Sequence, residues 1–303
     1  MAPLRVQLSD LVSFVLLPLL SVVLPAAWSR WLVARVSGWP WILQPIADVA
    51  CDKSAQFLPV PDPDAWRRRW RQVELLDHRD AVCMSLGRRR ALLEEVDGAE
   101  QLDGLGSCVL VGMHWGPQFA ILRLLANRGL KPSLLYRDAD RSLLRSRPLR
   151  YLYQRIVVRE MVASCGGRAV RVGGASGTLR QRLSEEGVEI VVVDAPPYPG
   201  RSTLEVEVLG RRARFNAGFP ALLLASGKPC AFFSIALRDD GSLRKRLFLS
   251  PPRHFDTEEA FLDAYCRMLD DHLRGDPPQW RIWQAAAQMF PEDGAHAGND
   301  RSP

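Results

Sequence analysis

Two titratable side chains stand where strands should end. His114 closes the apolar run Cys108–Met113 (CVLVGM) and is followed by Trp115, Gly116 and Pro117. Asp194 closes Val188–Val193 (VEIVVV) and is followed by the loop APPYPGRS. A neutral imidazole, with an unperturbed pKa of about 6.5, can take a proton from a hydroxyl or an amine near neutral pH. A carboxylate can hold such a ring in place. Ligand sites of open parallel sheets gather outside the carboxyl ends of the strands, which is where both residues fall. For a lone histidine the commoner role is structural, and an aspartate at a loop entrance also serves as a turn cap. The strand-end position and the Gly116–Pro117 turn make His114 the first candidate, with Trp115 and Gly116 as candidate substrate contacts beside it.

Other chemistries lack their residues. The chain has no G-x-S-x-G elbow, no G-x-x-x-x-G-K-[ST] loop and no H-E-x-x-H helix. Gly166–Gly167 and Gly173–Gly174 fit no dinucleotide fingerprint, and no cofactor is implied. The six cysteines are scattered without a C-x-x-C pair or a histidine at ligand spacing, which argues against structural zinc. Their placement in apolar runs suits a reduced, cytosol-facing compartment. A net charge of +6 favours an anionic partner: nucleic acid, an anionic lipid surface or an acidic carrier protein. The basic stretches carry no interleaved aromatics on a strand, so nucleic acid is not expected.

The elements that must position His114 and Asp194 alternate along the chain. Strands are expected at 108–113, 133–136, 169–172, 188–193, 204–209, 230–237 and 247–249. Helices are expected at 119–126, within 141–163, at 175–186, at 219–226 and at 257–273, the last capped by Thr257. Nearly continuous apolar strands between helices indicate an α/β fold with a mainly parallel central sheet flanked by helices. Upstream, the segment 65–96 reads as one or two amphipathic helices entered through the cap Asp64, with Trp66, Trp70, Val73 and Leu76/Asp77 on one stripe. Arg67, Arg68, Arg69 and Arg71, with Arg88, Arg89 and Arg90, are expected to form a basic surface, either a solvated face or one facing anionic lipid.

The amino terminus is apolar: Leu11–Ser29 carries no charge, and Pro18 and Pro25 should kink it. Trp28, Trp31, Trp39 and Trp41 follow with Arg30 and Arg35, as at a membrane interface. A membrane-associated helix is expected, with a buried first helix as the alternative. The organisation read from sequence is an anchor over 1–45, an α/β domain over 46–290 and a disordered tail over 291–303.

Taken in order, several stretches resemble the bacterial lipid A biosynthesis (lauroyl/myristoyl-type) acyltransferase family, within the wider glycerolipid acyltransferase superfamily. EVDGAEQLDGLGSCVLVGMHWG resembles the approach to its His-x-x-x-x-Asp/Glu motif, and LLYRDAD its Tyr-Arg strand. VEIVVVDAPPYPGRSTLEVEVLGRRARFNAGFPALLLASGKPCAFF resembles its Asp-containing strand, glycine loop and following helix. DPPQWRIW resembles its carboxy-terminal Pro-x-Gln-aromatic-x-x-Trp signature.

The resemblance implies transfer of a fatty acyl chain from acyl carrier protein, or another thioester, to an acceptor at the cytoplasmic face of the inner membrane, with His114 as general base. Arg137 and Arg201 become candidates for binding acceptor or carrier phosphates, since Arg suits bidentate phosphate contacts. Trp280 and Trp283 are expected to pack. The sequence departs from the family where the acid should stand, five positions after His114: that residue is Phe119, and no acid occurs before Asp138. Three readings follow: an acyltransferase whose histidine is oriented by Asp194 or another distant group, acting on an unusual hydroxyl or amine acceptor; a catalytically impaired acyl-binding or scaffolding partner at the membrane; or a lipid A enzyme with a compensated acid.

Overall fold

The computed structural model describes residues 3–172, 176–197, 200 and 202–291. The amino terminus is helical: α1 (Leu4–Leu11) continues through a π-turn (Val12–Leu16) into α2 (Leu17–Val23). The wide turn, in which the Leu17 amide reaches back to the Val12 carbonyl, sits just ahead of Pro18, which has no N–H to donate. Pro25 breaks the run, as expected, and α3 (Ala26–Val36) and α4 (Gln44–Ser54) follow. Next comes α5 (Pro63–Ser85), capped by the Asp62 carboxylate, which accepts the amides of Asp64 and Ala65. The cap is therefore Asp62, two residues before the expected Asp64, because Pro63 occupies the first helical position, where no N–H is required. A short α6 (Arg89–Leu93) completes the two-helix reading of this segment.

The sheet contains β1 (Val96–Asp97), β2 (Cys108–Gly112), β3 (Ser133–Tyr136), β4 (Val170–Arg171), β5 (Val188–Val192), β8 (Cys230–Leu237) and β9 (Lys245–Leu249). Between them lie α7 (Ala120–Ala126), α8 (Leu143–Ser146), α9 (Pro148–Ser164), α10 (Ser176–Ser184) and α11 (Gly218–Ser226), with α12 (Glu258–Gly275) and α13 (Ala286–Met289) at the end. The strand order is β1-β9-β8-β2-β5-β3-β4. Strands β8, β2, β5, β3 and β4 run parallel; β9 is antiparallel to β8 and parallel to β1. A separate antiparallel hairpin, β6 (Thr203–Val208) and β7 (Arg211–Asn216), interrupts the alternation. The expected strand at 204–209 is its first arm. The second arm escapes a hydrophobic reading because it opens on exposed Arg211, and Arg212 and Arg214 fill its outward face, while Ala213 and Phe215 are buried.

Two apolar layers cover the sheet, and alternate residues of each strand feed them. Val109, Val111 and Val191 face the layer that holds Phe261, Tyr265 and Leu269 of α12. Cys108, Leu110 and Ile190 face the layer that holds Ile121, Leu124 and Leu125 of α7. Every residue of β2 is buried, as a parallel strand covered on both faces requires.

The basic surface expected around α5 forms only in part: Arg68 and Arg90 are exposed, whereas the others described are drawn inward. Arg71 is buried and donates to the Ser37 carbonyl at 2.7 Å, Arg69 binds Asp276 at 2.7 Å, Arg67 binds Asp48 at 2.8 Å and Arg88 donates to the Leu24 carbonyl at 2.8 Å. The side chain of Arg89 lies outside what the structure describes. From Leu75 to Met84 every residue of α5 is buried, so this half of the helix has no solvent face to hold free charge.

Candidate active site

The chain connections at β2 and β5 depart on opposite faces of the sheet. After β2 the chain leaves through α7, on one face of the sheet, towards β3. After β5 it leaves in the opposite direction, through the hairpin and α11, towards β8. Adjacent parallel strands whose connections diverge leave a ligand crevice at their carboxyl ends. His114 and Asp194 stand there, each two residues past the end of its strand.

The two are joined. His114 Nδ1 lies 2.8 Å from Asp194 Oδ1, and the His114 amide donates to both carboxylate oxygens, at 3.0 and 2.9 Å. A carboxylate only accepts, so the ring carries its hydrogen on Nδ1 and presents a lone pair at Nε2. Asp194 is fully buried, whereas the His114 side chain keeps 33% of its surface exposed. The indole N–H of Trp280 donates to Asp194 Oδ2 at 2.7 Å. Among the described residues no Lys or Arg pairs with this carboxylate; the partners of its side chain are the His114 amide and ring and the Trp280 indole.

The backbone around His114 is fixed from the carboxy-terminal side. The Arg281 amide donates to the His114 carbonyl at 2.8 Å, the Gly116 amide to the Gln279 carbonyl at 2.8 Å, and Trp115 bridges Trp280. Gln279 is itself locked: its Oε1 accepts the Leu237 amide at 2.6 Å and its Nε2 donates to Asp276 at 2.7 Å. Gly116 has φ +55°, and a Cβ there would meet the Ile235 carbonyl oxygen at 2.0 Å, so only glycine fits the turn. Arg281 reaches on to α5, binding Glu74 at 2.7 Å and Asp77 at 2.8 Å. Burial alone would raise the pKa of Glu74, but Arg281 outweighs it and holds the carboxyl below its usual range. At Asp77 burial prevails over Arg281, and the pKa is raised.

Phe119 sits at the start of α7, buried in the apolar layer with Ile121 and Leu125. Its replacement of an acid at this position leaves His114 with a carboxylate all the same, delivered from eighty residues further along the chain. Trp115 and Gly116, expected to contact substrate, are both buried: Trp115 packs edge-on against His272 at 4.9 Å, and Gly116 forms the turn. Arg137 is exposed at the end of β3, next to β5 and therefore on the same edge of the sheet as His114 and Asp194. Arg201 lies outside the described residues, as does the tail from 292. Trp280 was expected to pack; it also orients Asp194, and the signal for this was the DPPQWRIW run. Trp283 packs at 4.7 Å against it. A cavity of about 60 Å³ between α1 and the start of α4 and a cleft of about 540 Å³ beside Phe57 and Arg211 lie elsewhere, and neither borders His114.

Neither a family model nor a curated protein matches the chain.

Proposed function

We propose that the chain is an acyltransferase of the glycerolipid acyltransferase type. It would move a fatty acyl group from acyl carrier protein, or another thioester, to a hydroxyl or amine acceptor at the cytoplasmic face of the inner membrane. The observation that carries this reading is the His114–Asp194 pair at the carboxyl ends of β2 and β5, with the carboxylate on Nδ1 and the His114 side chain 33% exposed. His114 Nε2 takes the acceptor proton as the acceptor atom attacks the thioester carbonyl carbon. The tetrahedral adduct collapses with cleavage of the C–S bond, and the departing thiolate receives the proton from the imidazolium. Asp194 keeps its bond to Nδ1–H throughout and stabilises the imidazolium, a kind of contribution worth roughly 10²–10⁴-fold for a positioned base. Arg137, exposed at the end of β3, is assigned to the phosphate of an acceptor or of the carrier's prosthetic arm, and Arg201 is assigned the same part from the sequence.

The test is acyl transfer from acyl carrier protein in membranes containing the protein. His114→Ala is expected to abolish it while the variant remains folded. Transfer that survives this substitution sinks the proposed base. A wild-type protein that turns over no thioester, yet co-purifies with membranes or a partner enzyme, supports the scaffolding reading instead.

A further inference from the structure

The amino-terminal helices expose a row of large apolar side chains while burying polar ones. On α1, the π-turn and α2, the buried stripe mixes Ser9, Asp10, Ser13 and Ser21 with Phe14, Leu17 and Pro18. The opposite, exposed stripe is Leu4, Leu8, Leu16, Leu19, Leu20 and Val23, with exposures from 46 to 75%. A helix on a water-soluble protein buries its apolar side. A row of exposed leucines over buried serines and an aspartate is the pattern expected where the outer medium is itself apolar.

The buried stripe is tied down. Asp10 pairs with Arg147 in front of α9. The Ser9 hydroxyl accepts the Leu43 amide at 2.8 Å, and Phe14 stacks on Tyr153 at 4.8 Å and against His78 at 4.5 Å. The segment Leu4–Val23 has 20 residues, so at about 30 Å it is long enough to cross a bilayer. Crossing would pull the helix off α5 and α9 and strand the Asp10 and Arg147 charges. Lying flat breaks nothing and covers the exposed leucines. The adjoining α3 and the turn after it add exposed Trp28, Trp31 and Trp39, with exposed Arg35, the combination that settles at a headgroup boundary.

We infer that α1–α3 form an in-plane docking face that sinks the Leu4–Val23 stripe into one leaflet of a bilayer with anionic headgroups, and that this segment does not span it. The inference deepens the membrane setting of the proposed acyl transfer and rests on that reading. Exposed Arg5 and Arg35 beside this face and the net charge of +6 select anionic lipid over a second apolar protein surface as the occupant.

Flotation of the purified full-length chain with phosphatidylethanolamine/phosphatidylglycerol vesicles tests it. Wild type is expected to float, and less so as salt rises. The double variant Leu16→Glu/Leu20→Glu, at two exposed positions, is expected to lower the bound fraction at least tenfold with unchanged thermal unfolding. With an epitope tag added at the amino terminus, protease outside sealed vesicles should remove the tag completely. A tag protected in the lumen means the helix spans, and overturns the inference. So does unchanged flotation of the double variant, or a wild type that dimerises through this face and does not float. Catalysis is read separately, in detergent with a water-soluble acceptor: the double variant should keep the wild-type rate. A wild type that floats but transfers nothing removes the acyltransferase reading and leaves the docking face standing.

Discussion

Asp194 defines the residue scale. A carboxylate five positions after a histidine comes back to it through one turn of chain. Here Phe119 fills that position and the carboxylate arrives from the neighbouring strand, binding both the ring and the amide of His114. Asp194→Asn would offer an amide in place of that acceptor pair and leave the imidazole free to adopt the wrong tautomer. A loss in kcat of up to about 10⁴-fold is expected, by analogy with the orienting aspartate of serine proteases, with little change in KM. Single-turnover acyl transfer measures it, and a loss under threefold would exclude Asp194 as the orienting group. Trp280→Phe keeps a ring in the core and removes one donor from Asp194 Oδ2. The carboxylate then holds more charge for the imidazolium. The acid limb of the kcat profile should move to higher pH. A role in packing alone would lower stability and leave that limb in place.

Among the elements, α5 shows why patterning carries only part of the information. The stripe Trp66, Trp70, Val73 and Leu76 is buried as the periodicity predicts. The second half is buried all round, and its polar residues must find partners within the protein. His78 is held between Phe14 and Tyr153, and burial lowers its pKa to about 3 despite Glu74 nearby. Burial lowers that of His272 as well. The sign follows from the depressed folded value. Unfolding takes up a proton below the unfolded pKa of about 6.5, so stability is full above that pH and falls on acidification, down to the folded value near 3. The slope approaches about 1.4 kcal/mol per pH unit for each such histidine. Urea titrations at pH 7, 6 and 5 should show this loss, and His78→Gln should flatten it by close to one proton. An unchanged slope would place the acid sensitivity elsewhere.

At the scale of the whole molecule, α3, α5 and β9 meet in a buried ionic cluster. Arg79 contacts Asp80 at 2.6 Å and Glu95 at 2.5 Å, Lys245 pairs with Asp80, and Arg30 reaches Glu95 at 2.8 Å. Burial alone would raise the pKa of Asp80, but Arg79 and Lys245 outweigh it and keep the carboxyl below its usual range. Three cations therefore face two carboxylates, a net charge of +1. Asp80→Ala leaves +2 in a site closed to water and is expected to cost about 3–5 kcal/mol. Lys245→Met brings the cluster to zero and should cost less. Chemical denaturation of the two variants checks the order, and a larger loss for Lys245→Met would refute this charge count.

Sequence alone determined the strands that carry the site and the histidine at its centre, because burial on both faces of a sheet writes itself locally as continuous apolar runs ending at a turn. The strand at 133–136 and that at 230–237 coincide with β3 and β8. Sequence also supplied both members of the His114–Asp194 pair, but as separate strand ends, with Asp194 equally readable as a turn cap. Only the tertiary structure decided that β5 lies beside β2, a pairing across about eighty residues that no local period encodes, and so that Asp194 meets His114. It likewise turned Trp280 into a donor, committed Arg67, Arg69, Arg71 and Arg79 of α5 to partners within the protein, and put the serines and Asp10 of the first helix inside. Each of those outcomes depends on what faces a side chain across the core, and that is set when distant elements pack.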